Sequence, residues 1–207
     1  MTLDALAELV EGLSQEVSRT AKRFVLGVAG PPGAGKSTVA AQIVGLADTD
    51  LGAIVVPMDG FHRTNEELTA LGLLDLKGIP DSFDAQAFAA HMRRLRREET
   101  LSWPAYDRAR SEVVRDGILV SPTNRLVVVE GNYLLLNDPP WVDVRRLVDD
   151  VWYLDAPTAV ITPRLLARHR LKRGDAGALA KVASTDLPNA QLVDATKHLA
   201  DVRIMIG

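Results

Sequence analysis

Residues 30–38, Gly30-Pro31-Pro32-Gly33-Ala34-Gly35-Lys36-Ser37-Thr38, place glycines, one lysine and a hydroxyl in the spacing G-x-x-x-x-G-K-[ST]. Glycines let backbone N–H groups turn toward phosphate oxygens without a Cβ in the way. A helix following directly would add its unsatisfied N-terminal donors and the positive end of its dipole. Lys36 supplies a mobile cation for β- and γ-phosphates, and Ser37 a hydroxyl for Mg2+. A glycine-rich turn that merely caps a helix is the alternative. The strand before this loop and the helix after it weigh against that alternative. The loop predicts a nucleoside triphosphate and leaves open where its γ-phosphate goes.

Two acids follow at strand ends. Pro57-Met58-Asp59-Gly60-Phe61-His62 closes a second apolar run. A carboxylate there would face the γ-phosphate and a substrate hydroxyl, orienting that hydroxyl and taking its proton. A plain helix N-cap is the other reading of Asp59. Leu126-Val127-Val128-Val129-Glu130-Gly131 ends a hydrophobic strand in an acid, so Glu130 is a candidate to hold Mg2+ directly or through water. An ordinary strand-end glutamate is its alternative.

Arg164, Arg168, His169, Arg170, Lys172 and Arg173 crowd one late helix that ends at Gly174. An arginine there can spread its fork over phosphate oxygens as charge shifts in the transition state, and Arg168 or Arg173 is expected in that role. The other basic run, Arg93, Arg94, Arg96 and Arg97, lies on a helix with Met92 and Leu95, far from any strand end. It is expected to be a solvated face.

These side chains need a frame. Short apolar runs at 24–29, 53–57, 125–130, 151–155 and 202–206 read as strands buried on both faces of a parallel sheet. Helical stretches at 36–47, 84–98 and 158–173 alternate with them, which predicts an α/β layered domain. Leu3, Leu6, Val10, Leu13 and Val17 repeat at helical spacing, giving an amphipathic N-terminal helix over about residues 1–22. One domain is expected for 207 residues. Its longest interruption, about 60–124, reads as one helix with Pro- and Gly-containing loops, of a length that is often functional.

Composition excludes several chemistries. There is no cysteine, so disulfides, thiolate metal sites and thiol nucleophiles are absent. With 24 Lys+Arg against 27 Asp+Glu the net charge is −3, without the basic excess usual for nucleic-acid binding. No stretch approaches the ~20 apolar residues of a membrane span, and acids interrupt the N-terminus where a secretory signal would be apolar. A cytoplasmic protein is expected, and a homodimer is kept open as its assembly.

The phosphate loop, Met58-Asp59-Gly60-Phe61-His62, Gly78-Ile79-Pro80-Asp81-Ser82-Phe83-Asp84, Pro104-Ala105-Tyr106-Asp107, Glu130-Gly131 and the arginine-rich helix stand in an order that resembles the pantothenate kinase, uridine kinase and phosphoribulokinase superfamily. Within it the chain looks most like the bacterial branch labelled fructose transport system kinase, or nucleoside/nucleotide kinase-like. The resemblance runs from Phe24 to Ile206. It implies a three-layer P-loop fold with a five-stranded parallel sheet in the order 2-3-1-4-5, helices on both faces, and an arginine lid over about 158–176. It implies ATP with Mg2+ and phosphorylation of a small-molecule hydroxyl. Asp59 would be the base, and Ser37 and Glu130 would serve the metal. Asp81, Tyr106, Asp107 and Arg108 would face the acceptor, with His62 and Asn132 nearby.

Departures from the uridine kinase pattern bear on the acceptor. Those enzymes read D-H-P-D-A-F-D where this chain reads G-I-P-D-S-F-D, so the acid that serves the ribose becomes Gly78. Their pocket histidine falls near Ser111, and their R-G-R lid continuation becomes Arg173-Gly174-Asp175. A sugar such as fructose is therefore expected ahead of a nucleoside or a pantothenate-like alcohol. An NTP-dependent switch or regulatory ATPase is the competing class. The chain has neither the N-K-x-D of guanine-binding switches nor an L-S-G-G-Q-like signature.

Overall fold

The computed structural model describes residues 2–107, 109–110 and 112–207. The chain runs α1 (Leu3–Arg19), β1 (Phe24–Ala29), α2 (Lys36–Leu46), β2 (Ile54–Pro57), α3 (Asn65–Ala70), α4 (Ala85–Leu95), β3 (Leu101–Asp107), β4 (Glu112–Val120), β5 (Leu126–Gly131), α5 (Val142–Arg145), β6 (Asp150–Asp155), α6 (Thr158–Lys181), α7 (Leu187–Asp194) and β7 (Val202–Met205).

Five strands form a parallel sheet in the order β2-β5-β1-β6-β7. The numerals differ from the expected 2-3-1-4-5 because two strands that the apolar runs did not announce, β3 and β4, intervene in the chain and pair with each other; numbered within the five-stranded sheet alone, the order is 2-3-1-4-5. Every residue of β1 and β5 is buried. That explains their unbroken apolar runs: strands covered on both faces have no solvent side to alternate with.

Each face of the sheet carries its own core. On one side Leu6, Val10, Leu13 and Val17 of α1 pack with Val39, Ala40 and Ile43 of α2 and with Ile161 and Leu165 of α6. Leu3, the first residue of the predicted stripe, is exposed instead. On the other side Phe88, Met92 and Leu95 of α4 meet Trp103, Tyr133 and Trp141. Among the described residues no helix is long and apolar enough to cross a membrane.

Residues 60–124 hold more structure than expected. They contain α3, α4 and the antiparallel hairpin β3–β4, whose register slips between Trp103 and Ala105, around Pro104. The hairpin is pressed onto the turn after β2 at Gly60, where a Cβ would meet the Pro104 carbonyl oxygen at 2.0 Å. The run Arg93–Arg97 is exposed yet structural rather than only solvated. Arg93 pairs with Asp143 at 2.6 Å and Arg96 with Asp149 at 2.6 Å, and Asp149 also accepts the Val25 N–H.

The base of the molecule is closed by two arginines. Arg23 donates to the carbonyls of Leu95, Glu98, Glu99, Ser121 and Asn124. Arg125 donates to Val17 and Thr20 at the end of α1. Both supply donors to carbonyls that a helix end or turn leaves unpaired. At the other end of the sheet, α6 runs past the expected stop at Arg173. Its backbone breaks at Gly174 (φ 66°, ψ −178°) and resumes to Lys181.

Candidate active site

The carboxyl ends of β1, β2 and β5 open on a polar cleft of about 330 Å³ lined by Lys36, Ser37, Asp59, Glu130, Asn132 and Arg168 among others. Such a crevice beyond the strand ends is where open α/β sheets bind ligands.

Its floor is the phosphate loop. Gly33 (φ 81°) and Gly35 (φ 95°) take left-handed backbone, which an L side chain resists. Gly35 is the N-cap of α2 and gives it no side-chain cap, whereas Thr2, Thr64 and Asp84 cap α1, α3 and α4. The first N–H groups of α2 are left for a ligand. Lys36 is buried and its Nζ donates to the Pro31 carbonyl at 3.0 Å. Of the nine predicted loop residues, Pro32, Gly33, Gly35, Lys36, Ser37 and Thr38 line the cleft. Gly30, Pro31 and Ala34 shape it from behind. A Cβ on Gly30 would meet the Leu154 carbonyl at 2.9 Å, and Ala34 is buried in the core under α6.

Two strand ends bring in acids. Asp59 lies in the 3-10 turn Met58–Phe61 directly after β2 and lines the cleft. Glu130 ends β5 beside it, since Pro57 and Glu130 are register partners, and accepts a hydrogen bond from Ser37 Oγ at 3.0 Å. A Cβ on Gly131 would stand 2.7 Å from Met58 Cβ, so the glycine after Glu130 lets the turn that carries Asp59 pack close.

The arginine helix lies over the loop. A Cβ on Gly33 would meet Ile161 and Leu165 of α6 at 3.1–3.3 Å, and Arg164 reaches the Gly33 carbonyl at 3.4 Å. Arg168 lines the cleft; Arg173 does not, and lies exposed next to the break at Gly174. The Lys172 charge acts on the Asp107 carboxylate, so this part of α6 lies near the end of β3.

The acceptor residues divide. His62 and Asn132 line the cleft. The His62 ring lies tilted against both Phe83 (4.0 Å between centroids) and Tyr106 (4.8 Å), and Lys77 Nζ lies 5.2 Å from the Tyr106 ring centre. Tyr106 faces the adjoining groove between the hairpin and α3 rather than the cleft itself. Asp107 closes the hairpin turn: its Oδ1 accepts the N–H groups of Ala109 and Arg110, and the Arg110 N–H in particular holds its carboxyl below the usual range. Asp81 sits on the 3-10 turn Pro80–Ser82, exposed, and lines a separate depression with Arg63 and Trp141. Arg108 and Ser111 lie outside the described residues.

Asp186, which no motif pointed to, lines the cleft beside Gly78, and Tyr133, Lys181 and Asn189 hold the backbone around Gly78. Gly78 (φ 116°) lines the cleft, and its carbonyl accepts both the Tyr133 hydroxyl and Asn189 Nδ2. Lys181, buried, donates to the carbonyls of Asp75 and Lys77 at 3.0 and 2.8 Å; burial lowers its pKa. Asp186 lines the cleft and pairs with His169 at 2.7 Å. Burial raises the Tyr133 pKa, and the charges of Asp186, Asp59 and Asp81 push it the same way.

The sequence profile of the phosphoribulokinase/uridine kinase family matches residues 25–205. The chain belongs to that family. It is an ATP-dependent phosphotransferase acting on an alcohol group. It is 37% identical over 163 residues to a protein of Schizosaccharomyces pombe provisionally named uridine kinase C227.14, covering 74% of this chain and 69% of the relative. With the pantothenate kinase of Streptomyces coelicolor it shares 34% identity over 176 residues, 79% of this chain and 53% of that one. A crystal structure from Silicibacter sp. TM1040, provisionally named a fructose transport system kinase, superposes with a TM-score of 0.88 at 35% identity and covers 99% of both chains. Family members thus carry different acceptor names on one phosphate-transfer frame.

Proposed function

We propose that this kinase transfers the γ-phosphate of ATP to a hydroxyl of a small sugar, with fructose the favoured acceptor. One observation carries the reading: the phosphate loop, the Asp59 carboxylate and Arg168 line the same cleft. Phosphoryl transfer needs little covalent help from a protein and depends on positioning and charge.

The loop N–H groups and Lys36 would hold the phosphates, Lys36 leaving the Pro31 carbonyl to do so. Among the described residues no cluster of three or more His, Cys, Asp or Glu side chains is arranged for a metal. The two oxygen donors Ser37 and Glu130, 3.0 Å apart, suit Mg2+, a hard cation that keeps several waters and takes few protein ligands. When bound there, Mg2+ would supply positive charge that offsets the charge of the phosphates. The acceptor oxygen attacks the γ-phosphorus, the bond to the β–γ bridging oxygen breaks, and Asp59 takes the hydroxyl proton. Arg168 would meet the charge that spreads over the equatorial oxygens.

Fructose is supported by the name of the Silicibacter relative, which matches over nearly its full length, and by Gly78, which has no side chain where uridine kinases carry an acid. A nucleoside is the second reading. It is favoured by the cluster of Phe83, His62 and Tyr106 rings, aromatic surface against which a base can lie. Measuring kcat/KM with ATP for fructose, other hexoses, ribose, pantothenate and uridine separates them. Fructose ranking first supports the proposal, and uridine or cytidine ranking first replaces it. ATP turnover indifferent to every acceptor would point to a regulatory ATPase.

A further inference from the structure

Three carboxylates line the cleft, Asp59, Glu130 and Asp186, and the proposed reaction uses only two of them. A carboxylate beside a phosphate loop repels a triphosphate, so Asp186 is placed against nucleotide binding unless it serves the other substrate. Its surroundings are built. Asp186 ends the wide helical turn Val182–Asp186, a distortion that recurs at functional sites. His169 Nε2 lies 2.7 Å from Asp186 Oδ2, with side chains 19% and 13% exposed. That contact engages one oxygen and leaves Oδ1 as an acceptor for a hydroxyl.

Asp186 and Asp59 line the same cleft, and the charges of both, like that of Asp81, act on the Tyr133 hydroxyl behind it. Asn189, one turn further on, joins Tyr133 in holding the Gly78 carbonyl, and Lys181 pins Asp75 and Lys77 just before it. Asp81, by contrast, lines a depression outside the cleft.

Resting on the kinase reading, we propose that Asp186, oriented by His169, accepts a hydrogen bond from a second hydroxyl of the acceptor. The enzyme thereby selects a polyol that presents one hydroxyl to Asp59 and another to Asp186. His169 is a positioning residue, and its neighbour Arg168 belongs to the same lid turn, so the pair also ties lid position to acceptor binding.

The test begins with wild-type enzyme and MgATP against fructose, other hexoses, ribose, pantothenate and uridine, with phosphorylated product detected by mass. With the acceptor of highest kcat/KM, Asp186→Asn should raise the acceptor KM about tenfold or more while the KM for MgATP stays within about twofold. His169→Ala should raise the acceptor KM in the same direction, and His169→Gln, which keeps an N–H donor, should restore most of it. Analogues of that acceptor lacking single hydroxyls should include one that is poor for wild type and no poorer for Asp186→Asn. An unchanged acceptor KM in Asp186→Asn overturns the inference. So does an equal rise in both KM values, or a loss confined to kcat with a lowered melting temperature. Product from none of the alcohols would instead remove the kinase reading itself.

Discussion

The Ser37 hydroxyl donates to Glu130 Oε1 across 3.0 Å, joining the first turn of α2 to the carboxyl end of β5. The hydroxyl proton is thus directed at the carboxylate, leaving the Ser37 lone pairs for a cation. Ser37→Ala and Glu130→Gln should each raise the Mg2+ concentration for half-maximal activity by roughly 10–100-fold, the usual effect of losing a group that orients or holds a metal ligand. A Mg2+ titration at fixed ATP measures this, and curves that overlay wild type would remove both residues from the metal site.

Asp59→Asn preserves shape and removes the proton acceptor. Nucleotide affinity should hold while kcat falls by about 10²–10⁴, the contribution of a positioned general base. Calorimetric ATP binding beside steady-state kinetics reads the two separately. Weak ATP binding with high residual turnover would make Asp59 structural.

Replacing Lys36 by Ala should abolish turnover with the fold retained, since its Nζ donates within the phosphate loop itself, to the Pro31 carbonyl. Among the lid arginines the two single variants should differ. Arg168→Ala should lower kcat by about 10²-fold with little change in the KM for ATP, as expected of a group that binds the transition state more tightly than the ground state. Arg173→Ala, outside the cleft lining, should cost much less. Equal losses would show that the lid brings both arginines onto the phosphates.

The residues legible from sequence were those whose role lies in a contiguous motif. Gly33, Gly35, Lys36 and Ser37 are bound together by backbone geometry, and Asp59 and Glu130 by the ends of apolar strands. Asn189 and Lys181 were not legible, because their meaning comes from partners far away in the chain, and Asp186 was not because no motif joins it to His169, 17 positions before it. Lys181 is 106 and 104 positions from the carbonyls it holds, and Asn189 is 111 from Gly78. Asp81 has the right chemistry in the right motif, but its 3-10 turn carries it to a different depression. The hairpin was hidden by Pro104, which interrupts β3, and by the charged, largely exposed sequence of β4.

At the amino end of β6, Asp150 is half-buried, accepts the Trp152 indole N–H at 2.8 Å and faces Asp201, which Arg145 also engages. Burial, and then the neighbouring Asp201, raise the Asp150 pKa above its ordinary 3.8. The folded state therefore holds this proton more tightly than the unfolded chain. The associated stability is complete below the unfolded value and is lost as pH rises through the folded one. Asp150→Asn imitates the protonated form and should stabilise the protein at pH 7 by roughly 0.5–1.5 kcal/mol, the net worth of one hydrogen bond. Urea unfolding at pH 7 and at pH 4 checks it: the gain should shrink at the lower pH.

Gly60→Ala tests the seat of the hairpin. The added Cβ would fall 2.0 Å from the Pro104 carbonyl oxygen, and backbone cannot give way as a side chain tip can. A loss of about 1–3 kcal/mol or more is expected by chemical denaturation. A variant as stable as wild type would mean that β3 can lift from the turn after β2 without cost.

The five carbonyls gathered by Arg23 have a practical side. They lie at the amino end of β1, while the phosphate loop leaves its carboxyl end, a separation of about 20 Å for six extended residues. A fluorophore or solid support joined at exposed Lys22, between α1 and β1, therefore hangs from the pole opposite the cleft, and leaves ATP and acceptor an unobstructed approach.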